Sequence, residues 1–257
     1  MDYVIICLVA FLTSILTFFS GFGLGTILLP VFALFFPIEL AVALTGVVHF
    51  FNNVFKLFLV GKNANKAVLI NFGIPAVIAA LLGAYILINI TYIEPLYTYT
   101  LGTGTFEITV VKLVIAILLI TFAIIELSPF FNALKFEKKH MAFGGVLSGF
   151  FGGLSGHQGA LRSAFLINSG LTKQAFVGTT VVISSVVDFS RLSVYATRFF
   201  ESGLNENKLL IFCATLSAII GAVIGNQLLK KVTLKFIQKL IAMLLILISL
   251  ALGFGII

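Results

Sequence analysis

The chain has 257 residues, of which 60% are hydrophobic and only 10% charged, and its mean hydropathy is +1.20; soluble domains carry about 25% charged residues, so a soluble enzyme or binding domain is excluded. Sixteen Lys and Arg against nine Asp and Glu leave a net +7, but the basic residues punctuate apolar runs instead of forming a basic face or arm, which excludes nucleic acid and suits loops on the cytoplasmic side of a membrane. Cys7 and Cys213 lie inside apolar runs without ligand spacing, so no disulfide framework, metal site or cofactor is indicated.

The first element begins MDYVIICLVAFLTSIL. Asp2 stands where a signal peptide needs positive charge, and no small-residue cleavage site follows, so this reads as a retained span. It opens a series of eight apolar runs, at roughly 3 to 36, 40 to 60, 67 to 90, 110 to 127, 141 to 168, 174 to 199, 208 to 229 and 236 to 257. Most are near the ~20 residues that cross a bilayer as a helix. The first run is too long: as a straight helix it would measure about 51 Å against a hydrocarbon core of roughly 30 Å. Glycines interrupt it at Ser20 to Gly25, SGFGLG, and predict a broken helix. The second run carries Thr45, His49, Asn52, Asn53 and Lys56 at spacings that put all five on one helical face. Lipid does not tolerate such a stripe, so it must face the protein interior or a water-filled path.

The fifth run is also long, about 42 Å as a helix, and is broken at Gly152 to Gly159, GGLSGHQG. Arg162 lies just past that break, near the middle of its run, where a charge is costly and the interface is hard to reach by snorkelling. The sixth run repeats the polar stripe as Thr180, Ser184, Asp188, Arg191 and Tyr195. Thr45, His49, Asn53 and Lys56 fall opposite Thr180, Ser184, Asp188 and Arg191 at a shift of 135, and Gly25 and Gly159 are each followed sixteen residues later by an alanine, Ala41 and Ala175. One pattern is written twice, as in transporters built from internal repeats. The expected division is a first transmembrane repeat at 1–127, a cytoplasmic linker at 128–140 and a second repeat at 141–257.

Loop charges bear on topology. If every run crosses once, with the N-terminus inside, Lys62, Lys66, Lys135, Lys138, Lys139 and Arg198 lie inside and Lys173, Lys230, Lys231 and Lys235 outside. If the fifth run is a hairpin that enters and leaves on one side, the balance becomes nine to one and the Glu94/Glu107 loop stays outside, as the positive-inside rule prefers. A hairpin in the first run as well gives the two halves opposite topology. The expected fold is therefore an all-α polytopic membrane protein of eight hydrophobic segments in two inverted four-segment repeats, the first and fifth broken by glycines.

These residues resemble the TauE/SafE group of sulfite exporters and related transporters of sulfur-containing anions. The resemblance lies in GFGLGTILLPVFALFFPIELAVAL at Gly21 to Leu44, in SGHQGALRSAFLINSGLTKQAFVGTT at Ser155 to Thr180 and in the eight-segment layout. Gly21, Gly23, Gly25, Pro30, Pro37 and Ala41 reproduce the family's glycine break, following proline and Pro-x-x-x-Ala lead into the next helix. The second half departs from it at His157, Gln158 and Ala164. The resemblance implies a sulfur oxyanion or organosulfonate as substrate and a multi-pass protein of the inner or plasma membrane.

A glycine break leaves backbone N–H groups without intrahelical acceptors and faces the positive end of the following half-helix, a geometry that binds anions. The expected substrate site is Gly21, Gly23 and Gly25 with Ser155, Gly156, His157, Gln158, Gly159 and Arg162, joined by His49, Asn52 and Asn53, near the bilayer midplane; the packing alternative is that the glycines only let helices approach. Asp188, Arg191 and Lys56 are expected to couple transport or to pair ionically, Lys56 otherwise snorkelling from a helix end. An anion channel is an alternative that shares the site. A second comes from Gly153-Leu154-Ser155-Gly156, the GxSG of rhomboid-like intramembrane serine proteases, with His49 as the activating base. The expected partners are the small anion, the lipid bilayer and, as an option, further copies of the chain.

Overall fold

The computed structural model describes residues 2–18, 24–128, 136–166, 169–199, 203–204, 206–228 and 234–257. Helices dominate: α1 (Asp2–Thr17), α2 (Leu24–Ala33), α3 (Ile38–Val60), α4 (Lys66–Ile90, with a π-helical turn at Leu69–Gly73), α5 (Val110–Leu127), α6 (Met141–Ser155), α7 (Gly159–Leu166), α8 (Lys173–Phe199), α9 (Lys208–Leu228) and α10 (Leu234–Gly253). Among the described residues, four helices are long and apolar enough to cross a membrane by length and composition, Ile38–Asn63, Lys66–Ile90, Lys173–Thr197 and Lys208–Gln227. The first and fifth runs each yield two shorter helices, because each run is divided between them.

In the first run, α1 ends at Thr17 and α2 begins at Leu24; Gly21 and Gly23 lie outside the described residues, and Gly25 falls in the first turn of α2. In the fifth, α6 ends at Ser155 and Gly156 turns the chain with φ 82° while its N–H donates to the Gly152 carbonyl at 2.9 Å. A left-handed residue closing a helix in this way is nearly always glycine.

The structure adds one element that helical periodicity passes over. Tyr97–Leu101 (β1) pairs antiparallel with Gly104–Ile108 (β2) in the loop between α4 and α5. Its alternating Tyr, Thr, Phe and Ile residues favour strands, and Gly102 supplies the turn with φ 63°.

Glycines also set the helix spacing. Gly145, Gly149 and Gly153 on α6 lie against the backbone of Phe72, Ala76 and Ala80 on α4, so closely that a Cβ would collide with each carbonyl. The constant offset makes the two helices parallel. Gly221 and Gly225 on α9 lie in the same way against Phe11 and Ile15 of α1, again in parallel. α3 and α8 pack together in the middle, and α5 packs along α10.

These contacts define two faces. Gly178, near the start of α8, lies against Val60, Asn63 and Ala64, and the Asn65 N–H donates to Thr179 Oγ1 at 2.8 Å, so α8 starts on the face of the α3–α4 loop. Met141 at the start of α6 and Leu166 at the end of α7 share one buried cluster with Val68 and Phe72; this helical pair enters and leaves on that same face. On the other face, Tyr99 donates its O–H to the Phe254 carbonyl at 2.7 Å, and the end of α2 lies beside Glu107 and Thr109. Because α1 runs parallel to α9, and α9 follows the end of α8, the α1–α2 pair enters and leaves on this hairpin face. The outer surface is apolar, with Phe58, Ile78, Phe212 and Leu247 more than half exposed, as lipid contact requires.

Candidate functional site

The two polar stripes face each other where α3 meets α8. Thr45, His49, Asn52, Asn53 and Lys56 are all buried, as are Thr180, Ser184, Asp188, Arg191 and Tyr195; each stripe escapes lipid by turning to the other. Asp188, with no exposed surface, is the hub. Its Oδ2 accepts from His49 Nδ1 at 2.6 Å and Asn53 Nδ2 at 3.1 Å, and its Oδ1 from Arg191 Nε at 3.0 Å and Gln158 Nε2 at 3.3 Å. The expected ion pair between Asp188 and Arg191 is thus present, one member of a four-donor cluster spanning α3, α8 and the α6–α7 connection. Asn53 and Asp188 are also mates under the shift of 135.

On the α3–α4 loop side of this cluster lies a cavity of about 30 Å³, lined by His49, Asn53 and Lys56 of α3, Thr180 and Ser184 of α8, Arg162 of α7 and the Thr17–Phe18 end of α1. That volume suits a water or two or a compact ion of a few atoms. Arg162 is 1% exposed; its Nη1 donates to Gln158 Oε1 at 2.9 Å, and its Nε has no acceptor among the described residues. Lys56 does not snorkel, because it is 5% exposed and its Nζ lies 5.2 Å from the centre of the Phe18 ring. With the Asn52 amide turned so that its nitrogen donates to the Ala218 carbonyl at 3.3 Å, its oxygen accepts from Lys56 Nζ at 3.1 Å. Asn52 thereby holds Lys56 without lining the cavity. Asp188 is balanced by Arg191, whereas Arg162 and Lys56 make no salt bridge among the described residues. The cavity wall therefore carries net positive charge.

In the α6–α7 connection most of the backbone and side-chain donors are engaged within the protein. The N–H groups of Gly156, Gln158 and Arg162 already donate to the carbonyls of Gly152, Gly156 and Gln158, so those donors are not held open for an anion. Gln158 joins Arg162 to Asp188 and has both ends of its amide engaged. His157 stacks on Phe122, ring centres 5.7 Å apart, with Nδ1 3.2 Å from the carbonyl and hydroxyl oxygens of Ser155. None of Ser155, Gly156, His157, Gln158 and Gly159 lines the cavity, nor does Gly25; Gly25 approaches Thr45 and the Gly156 carbonyl instead. The protease arrangement is absent: His49 is bound to Asp188, and Ser155 Oγ donates to the Phe151 carbonyl at 3.1 Å.

Thr17, Phe18, Leu24, Phe176, Val177 and Val181 also line the cavity. Thr17 sits one turn before the first glycine break, the one sequence signal that points to it; the apolar five carry none.

The sequence profile of the family described as Sulfite exporter TauE/SafE matches residues 6–252, nearly the whole chain. No curated protein and no solved structure matches.

Proposed function

We propose, starting from the fact that the chain belongs to the sulfite exporter TauE/SafE family of membrane transporters, that its cargo is a small sulfur oxyanion held between Arg162 and Lys56. The observation that carries this is the pair of buried cations that line one cavity without a carboxylate partner among the described residues. A buried charge without a counter-ion is expensive in a membrane protein, and an arriving anion offsets that cost. The Arg162 fork meets two oxyanion oxygens at once, Lys56 supplies a second positive charge, and the Asn53 amide and the Thr180 hydroxyl supply neutral donors. The cavity volume favours a compact inorganic oxyanion over an organosulfonate in this conformation.

Beyond the cavity, toward the hairpin face, the path is closed by Asp188 and Arg191, neither with exposed surface, and by Tyr195, whose O–H donates to the Gly153 carbonyl. Closure of the path on that face supports alternating access rather than a channel. In this reading the halves 1–127 and 141–257 rock about the α3–α8 contact within the cell membrane, and Asp188 links the state of the cavity to the state of the closure. The test is anion flux in proteoliposomes across sulfite, sulfate, thiosulfate, sulfoacetate, phosphate and chloride. Flux of a sulfur oxyanion that disappears in Arg162→Ala supports the reading; full activity of that variant sinks the site.

A further inference from the structure

The cavity occupies only one side of the contact between Asn53 and Asp188, and the repeat supplies its counterpart on the other side. Under the shift of 135, Lys56 and Thr180 of the cavity correspond to Arg191 and Thr45, both on the hairpin-face side. The two threonines share an anomaly: Thr45 Oγ1 and Thr180 Oγ1 are buried without a hydrogen-bond partner among the described residues. Among the described residues, neither terminal nitrogen of Arg191 makes a hydrogen bond of good geometry, although the Tyr195 phenol lies beside the guanidinium; Arg191 has no exposed surface and bonds to Asp188 through Nε. A poorly satisfied buried donor is costly, more so when charged, and the Arg191 guanidinium carries such donors. Gly46 and Gly156 flank it so closely that a Cβ on either would crowd the guanidinium.

Resting on the transport reading above, the geometry points to a second oxyanion subsite formed by Arg191 and Thr45, closed in this conformation and opened toward the hairpin face when the halves exchange arrangements. The anion passes from Arg162, Lys56 and Thr180 to Arg191 and Thr45, around the Asp188 cluster. Arg191 then has two duties on different atoms: Nε holds Asp188 in both states, and the terminal nitrogens meet the anion in one.

Sided thiol labelling decides this, in proteoliposomes and in a background lacking Cys7 and Cys213. Lys62→Cys and Tyr97→Cys serve as references for the two faces. A Thr180→Cys thiol should react with a membrane-impermeant maleimide from the Lys62 face, and a Thr45→Cys thiol from the Tyr97 face. Sulfate or phosphate on the Tyr97 face should slow Thr45→Cys labelling at least threefold, and adding Arg191→Lys should remove that protection. Labelling of Thr45→Cys only from the Lys62 face, no labelling while Thr180→Cys reacts, or no protection by either anion overturns the subsite. If Thr45→Cys fails to fold, Arg191→Lys alone carries the test: the half-saturating anion concentration should rise severalfold from the Tyr97 face and stay unchanged from the Lys62 face. An equal change from both faces overturns it. A wild-type protein that moves no anion defeats the transport reading, whereas the labelling pattern is read without any flux.

Discussion

At the scale of single residues, Arg162 and Asp188 are both buried charges with opposite dependence on their neighbours. Arg162 is tied to the protein by one neutral acceptor, Gln158 Oε1, so Arg162→Ala removes a bond of about 1 kcal/mol and relieves a buried charge. We expect at least a tenfold loss of anion flux with little change in the thermal-unfolding midpoint; Arg162→Lys should stay impaired because an ammonium lacks the planar fork. Asp188 is tied by four donors. Asp188→Asn leaves Arg191 uncompensated, and breaking a buried pair costs about 3–5 kcal/mol, so a lowered midpoint is expected. The same sample, assayed with and without an imposed proton gradient, tests whether Asp188 also carries a proton. Wild-type flux indifferent to the gradient removes that role. The cavity's α3 and α8 walls were legible because polar stripes at helical spacing have nowhere else to go in lipid. The role of Gln158 was not legible, because which break residues face inward depends on how Gly156 turns the chain, and one sequence position does not encode that direction.

At the scale of elements, the helix boundaries followed closely from apolar run lengths and glycine breaks; the β1–β2 hairpin did not, being too short and half polar to register against helical periodicity. The glycines divide into two physical kinds that spacing alone does not separate. Gly156 is needed for its backbone angle, whereas Gly145, Gly149 and Gly153 are needed for the absence of a side chain against α4. Gly149→Val should therefore prevent α4 and α6 from meeting and abolish folded protein on size-exclusion chromatography. Gly102→Ala, at a turn with positive φ but nothing within 4 Å, should cost only about 1–2 kcal/mol of conformational strain. Equal loss from the two variants would argue that backbone angle, not helix approach, governs the fold.

At the scale of the whole molecule, the α1–α2 and α6–α7 pairs enter from opposite faces, and the loop-charge balance anticipated this for the second pair through Lys173. Lys62→Cys and Lys173→Cys should label from one side of a sealed vesicle and Tyr97→Cys from the other; Lys173→Cys on the Tyr97 side would undo the hairpin arrangement. Asn53 and Asp188, mates under the proposed repeat, are hydrogen-bonded to one another. Two identical halves meeting at that point would set each residue against its own copy. An aspartate there would confront a second aspartate, two anions in contact with no water to separate them, and no single carboxylate could gather a histidine, an asparagine and an arginine from unlike surroundings. The cluster instead joins unlike residues from the two parts of one polypeptide. Under the proposed repeat, covalent union of unlike halves is what lets a single carboxylate stand where Asn53 and Asp188 meet.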